Sequence, residues 1–353
     1  MNLTTIACTT LLLVGSTSQP GSPSAEAVTL AWKLPAGADY LIESTSTVDT
    51  TTVTMDQEQS EFMQLETTHR VHVNEVTEDG DMELTITVES YFMGKESPQL
   101  NIELSCERDD DGEIRVAAEI DSELAELEGS DVTDLFEAIG RNNMELEFTV
   151  LLTPTGEVES SSLKGDPMHD LPTDTEVTEM IAATASALLD AEDLPGLLTS
   201  QIFSLLPAEP VEVGAEWDVS RHYDAMGLEM DGKGRCTLDE LKTEDGVQLA
   251  VITEDMLYSV GAEGLEENMI DMMTVIFEST GMELEVAVEL DAEDTNTSME
   301  THFDIAAGFH RSMVWSETTA TVNGVMTIAG NEMDMVVETV ASGRSSWSRL
   351  EEK

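Results

Sequence analysis

Positive charge is what this chain has least of: 15 Lys and Arg stand against 73 Asp and Glu, a formal net charge of -58 on 353 residues. So anionic a surface repels the phosphates of DNA and RNA and the headgroups of acidic membranes, which removes them as partners. Cations, basic proteins and neutral molecules remain. Aromatic residues are scarce too, at 5%, so a core must draw its volume from aliphatic side chains and from the 20 Met. No apolar run reaches the roughly 18 residues that a bilayer-crossing helix requires, so no transmembrane segment is expected. The chain contains no G-x-S-x-G, H-E-x-x-H, C-x-x-C or phosphate-binding glycine loop, and with them go the chemistries those motifs carry. Six His form no ligand set, since His69 and His72 fall on opposite faces of a strand-like stretch while His222, His302 and His310 stand alone. Among so many carboxylates none is singled out as half of an acid-base pair. No catalytic residue and no cofactor is assigned, and a non-enzymatic protein is expected.

The acidic residues alternate with apolar ones, and 41% of the chain is hydrophobic, more than an acidic disordered tail carries. They read as solvated faces of a folded body suited to salt, which screens charge over about 10 Å at 0.1 M and about 3 Å at 1 M. The amino terminus reads as a signal peptide over residues 1–27. An apolar stretch at 6–15, with no Lys or Arg before it, leads through a Ser- and Pro-rich region to Ala25-Glu26-Ala27. Export to the periplasm or the extracellular space follows as an expectation. Cys8 lies inside the apolar stretch, which argues against a lipid anchor. Beyond it only Cys106 and Cys236 remain, either as a disulfide in an oxidising compartment or as two buried thiols.

Period-two alternation dominates, as in Met82-Glu83-Leu84-Thr85-Ile86-Thr87-Val88, and recurs at 146–150, 214–219, 247–252, 313–319 and 333–340. Turns fall at Glu78-Asp79-Gly80, Asp111-Gly112, Thr153-Pro154-Thr155-Gly156, Glu244-Asp245-Gly246 and Val322-Asn323-Gly324. Amphipathic helices are predicted at 131–139, 176–189, 195–206 and 265–279, the first ending at Gly140. Met144-Glu145-Leu146-Glu147 is repeated at Met282-Glu283-Leu284-Glu285, each after a helix. Thr77-Glu78-Asp79-Gly80 is matched by Thr243-Glu244-Asp245-Gly246, and Gly37-Ala38-Asp39-Tyr40 by Gly214-Ala215-Glu216-Trp217. The common order predicts a duplication. The expected fold is α+β: two duplicated curved antiparallel sheet units packed with amphipathic helices, at 28–170 and 207–353, joined by a helical connector at 171–206.

With a helix-rich middle and the entry Pro207, Pro210, Gly214 and Trp217, this layout resembles an uncharacterised family of exported β-rich bacterial envelope proteins. In architecture alone it is similar to the periplasmic lipoprotein-carrier half-barrels, a likeness that implies a sheet covered by helices and brings no residue-level site.

Two segments invite a site. Glu107, Asp109 and Asp111 occupy positions 1, 3 and 5 of a loop with Gly112 at 6, as in a calcium loop. Position 12, however, is Ala118 where a bidentate Glu belongs, so a solvated hairpin tip with weak cation association is expected. The helix carrying Met269, Met272, Met273, Ile276 and Phe277 offers an adaptable apolar wall, which reads as ordinary core or as the lining of a site for a lipophilic ligand. Two functions follow: a soluble carrier or binding protein for a lipophilic or neutral ligand, or a structural protein that pairs with another envelope protein.

Overall fold

The computed structural model describes residues 27–54, 57–97, 100–109, 111–122, 131–173, 202–225, 228–261 and 286–350, with single positions at 175, 178, 199, 264, 266, 269, 270 and 274. The proposed leader therefore lies outside the described residues. Fourteen strands make one antiparallel sheet: β1 (Asp39–Thr54), β2 (Gln57–Val76), β3 (Met82–Glu96), β4 (Leu100–Arg108), β5 (Ile114–Ser122), β6 (Glu147–Leu152), β7 (Val158–Lys164), β8 (Glu216–Ala225), β9 (Leu228–Glu244), β10 (Val247–Gly261), β11 (Val286–Ala292), β12 (Thr295–Asp304), β13 (Phe309–Ile328) and β14 (Asn331–Arg349). Among the described residues one helix forms a complete element, α1 (Asp131–Met144), between β5 and β6. The order is β5-β4-β3-β2-β1-β14-β13-β12-β10-β9-β8, with β6 and β7 added beside β3 and β11 beside β13. The first and last strands thus pair in the middle, from Tyr40↔Arg349 to Thr54↔Met335.

This corrects the expected α+β class. Among the described residues the molecule is nearly all β, a single sheet instead of two helix-packed units, because its strands are far longer than the alternating stretches that predicted them. Residues 44–54 read Ser-Thr-Ser-Thr-Val-Asp-Thr-Thr-Thr-Val-Thr, polar on both faces and therefore silent in a hydrophobic pattern. β-Branched Thr nonetheless favours extended backbone, and the run continues β1 well past its core residues Tyr40 and Ile42. The first predicted helix does not stop at Gly140. A Cβ there would press on Cys106 and Leu104, so glycine lets α1 lie close against β4 and run on to Met144. Its real end is capped by Arg108, whose Nη2 donates to the Met144 carbonyl at 2.6 Å.

The helices predicted at 176–189 and 265–279 lie largely outside the described residues, although the backbone is helical at Thr178 and at Gly264, Glu266, Met269, Ile270 and Thr274. The one at 195–206 is helical at Thr199 and Ile202 but not from Phe203 to Leu206. The carbonyls of Phe203, Ser204 and Leu205 are taken by the side chains of Arg221, Trp32 and Trp217, so this stretch is held extended.

The closed core sits at one end of the sheet. Leu30, Trp32 and Leu34 thread through it ahead of β1, with Trp32 N donating to the Pro154 carbonyl and Lys33 N to that of Gly308. Trp32 meets Phe203 edge-on at 5.2 Å and Phe303 at 5.7 Å, so the few aromatic rings are concentrated here. The entries to β1 and β8 are built alike: Gly37 N donates to Val73 O and Val73 N to Ala38 O, as Gly214 N does to Leu238 O and Leu238 N to Ala215 O.

Carboxylates face outward along the strands, as at Glu332, Asp334 and Glu338 of β14, all exposed. Their mutual repulsion is relieved by screening, so the thermal midpoint is expected to rise by several degrees between about 0.05 M and about 2 M NaCl. A flat or falling midpoint in a calorimetric scan would show that the charge is not matched to salt.

Candidate binding site on the inner face

Residues opposite one another in a ladder point to the same side, so the inner face can be followed outward from the core. Ile42 and Trp347 are opposite and buried; beyond them come Ser44 and Ser345, then Ser46 and Gly343. Farther out the same face is mixed: Thr50 is opposite Thr339 and Glu61, and Thr52 is opposite Gln59, but apolar residues return among them. Val48 is opposite both Met63 and Ala341, Leu65 is opposite Met93, and Val337 is opposite Val322. Met326 stands between Met333 and Val288 at the far end. Except for the buried Val288, these residues are half-buried, whereas on the outer side of the same strand Val336 is 38% exposed. The sheet therefore carries on one face an apolar trough interrupted by Thr50, Thr52, Thr339 and Glu61, and on the other an acidic, Thr-rich surface.

Each flank of the trough is fixed. On one side α1 buries Val132, Leu135 and Ile139, and Phe136 packs with Tyr91 and Met93 into a small cluster around Leu104 and Cys106. On the other, Glu266 accepts a hydrogen bond from Leu290 N of β11 at 2.6 Å, tying helical backbone to the sheet. Of the five residues proposed as a ligand wall, Met269 is half-buried on this flank, while Met272, Met273, Ile276 and Phe277 lie outside the described residues.

The acidic loop is a turn. Asp109 Oδ1 accepts from the amides of Asp111 and Glu113, both at 3.0 Å, and Oδ2 from Arg115 at 2.9 Å. The Glu113 amide does most to lower the Asp109 pKa. Both Asp109 oxygens are thus committed within the turn, and Glu107 and Asp111 are exposed. Cys106 and Cys236 are buried free thiols in separate parts of the core. They sit on β4 and β9, with β3, β2, β1, β14, β13, β12 and β10 between them in the sheet. Burial pushes Cys106 up to about 11 and raises Cys236 further, so neither is a ready nucleophile. Burial likewise raises Tyr91, beside Cys106, to about 12.

At the closed end, edge strands β7 and β8 face a cleft of about 600 Å³ floored by Phe203, Leu206 and Trp217. Arg221 lines it and forms a two-pronged ion pair with Glu254 at 2.9 and 3.1 Å, the two side chains exposed by only 9% and 5%.

No family model matches. A search of curated proteins also gives no match. Solved structures with a superficial likeness include an outer membrane channel from Pseudomonas putida F1, at 8% identity over 92% of this chain and 99% of its own and a TM-score of 0.19. Pseudomonas aeruginosa OccK7 shares 10% identity over 89% of this chain and 99% of its own, at a TM-score of 0.20. The transport unit of the Escherichia coli autotransporter AIDA-I shares 5% over 88% and 90%, at 0.22. Scores this low carry no argument about the fold or role of this chain.

Sequence reasoning placed the apolar wall on a helix and missed the trough in β1, β2, β13 and β14. Alternation at 333–341 was the available signal; its continuation across neighbouring strands emerges only from register.

Proposed function

We propose that the protein is an exported, non-enzymatic binding or carrier protein of the cell envelope that holds a lipophilic or neutral ligand in the inner-face trough. The observation that carries this reading is the second apolar zone at Val48, Met63, Leu65 and Val337, beyond a core that is already closed. Large side chains left half-covered between two anchored helical flanks match the apolar lining of small-molecule sites. The Met content lets such a lining adjust to its occupant.

The test uses adjacent residues on opposite faces. A neutral dye such as N-phenyl-1-naphthylamine avoids repulsion by the anionic surface and is displaced by the native ligand. Val337→Glu puts a carboxylate in the trough and is expected to weaken dye binding at least about tenfold. Val336→Glu adds the same charge on the outer face and leaves binding unchanged. Equal effects of the two, or no dye binding and no apolar molecule in an organic extract of the purified protein, would refute the reading.

A second reading, assembly with another envelope protein, draws on the free edges of β5, β7 and β8, each paired on one side only among the described residues. Crosslinking in whole cells that captures no protein partner would remove it.

A further inference from the structure

The β8–β9 hairpin brings together three side chains far apart in type and unremarkable in the sequence. His222 and Asp231 are directly opposite in the ladder, with His222 Nδ1 and Asp231 Oδ1 2.9 Å apart. Glu229 lies two residues from Asp231 on the same strand and so on the same face. One ligand atom from each residue lies within 4.8 Å of the others, and all three residues are exposed to solvent.

We propose that this hairpin binds one divalent transition-metal ion through His222, Glu229 and Asp231. Metal-ligand bonds of about 2.0–2.2 Å place neighbouring donors roughly 3 Å apart, the separation His222 and Asp231 already have. Glu229 needs only a side-chain rotation to complete the set, because the ladder holds the backbone positions. An imidazole nitrogen with two carboxylate oxygens favours Zn²⁺, Co²⁺ or Ni²⁺; an all-oxygen set would favour Ca²⁺ or Mg²⁺. His–carboxylate pairs occur elsewhere, as at His72–Asp39 and His302–Glu300, but among the described residues this is the group in which three such ligands come together. Open coordination positions would be left to water, as an exposed three-ligand site requires. Lys233, two residues beyond Asp231 on the same face, is the nearest competing cation in the strand and limits affinity.

The site does not depend on the trough and is tested separately. The full-length mature protein, stripped with chelator, is titrated with Co²⁺ in about 1 M NaCl and excess Mg²⁺, which saturates diffuse carboxylate binding. One equivalent is expected to bind with a visible d–d absorption and a shifted imidazole resonance, and Zn²⁺ to displace it. His222→Ala and Glu229→Gln each weaken binding at least about tenfold, in line with loss of one ligand. Both positions are exposed, so the thermal midpoint of each metal-free variant stays at the parent value and folding does not confound the result. No saturable site in excess Mg²⁺, or a site that survives His222→Ala, overturns the proposal.

Discussion

Arg221→Met is expected to lower the unfolding free energy by about 3–5 kcal/mol, and the double variant Arg221→Met/Glu254→Met to recover most of that loss. Arg221 bridges two parts of the fold from an edge strand. Its Nε and Nη2 donate to the two Glu254 oxygens, and Nη1 and Nη2 reach the Phe203 carbonyl at 3.3 Å. Burial is the largest single influence on the Arg221 pKa and lowers it, but the Glu254 charge, the hydrogen bond to Glu254 and the neighbouring Tyr258 and Cys236 together outweigh it, and the net shift is upward. Without the guanidinium, Glu254 keeps the weak Cys236 thiol donor at 3.7 Å but loses its counter-charge, and a buried carboxylate must either stay ionised without it or take a proton. The Phe203 carbonyl loses its donors as well, which loosens the extended stretch that floors the β7–β8 cleft. Two Met of similar length refill the volume and remove both charges. Equilibrium unfolding in about 2 M NaCl measures both variants. A cost for Arg221→Met below about 1 kcal/mol would show that the pair is hydrated and that the end of the sheet is not closed.

Much of the architecture was legible where hydrophobic alternation met a turn. Met82–Val88 did become the core half of β3, and the turns at Gly80 and Gly246 adopt positive φ, 95° and 83°. What was illegible is the sheet's reach. Strand length was judged by apolar alternation, and the Thr-rich halves of β1 and β13 carry little of it, although their preference for extended backbone is strong. The helix end at Gly140 failed for a different reason: glycine there serves close approach to Cys106 instead of termination, a distinction only tertiary contact can make. The candidate metal ligands show the same limit. His222 stood alone in the chain because its partners are cross-strand neighbours, and register is not written in spacing.

Register also buries two His in the core, and acidification should expose them. His310 is fully buried, 4.4 Å from the Trp32 ring, and neither ring nitrogen has a hydrogen-bond partner among the described residues. Burial, helped by the charge of Arg221, lowers it from 6.5 to about 3, while burial alone takes His69 from 6.5 to about 4. A folded-state value below the unfolded one means that the unfolded chain takes up protons first. The stabilisation is therefore complete above about pH 6.5 and is lost as pH falls toward about 4 and 3. At about 1.4 kcal/mol per factor of ten in proton affinity, the two rings together withdraw on the order of 4 kcal/mol by about pH 5. Relief of acidic repulsion acts in the opposite direction, but ordinary carboxylates protonate near pH 4 and concentrated salt already screens them. Between about pH 7 and 5 in about 2 M NaCl the His contribution therefore wins, and stability should fall. His310→Phe keeps a ring among Trp32, Phe303 and Trp347 while removing the proton acceptor, so it should halve that loss without weakening the protein at neutral pH. An acid limb identical to that of the parent would mean that His310 is hydrated in the folded protein, and the sealed core around Trp32 would have to be redrawn.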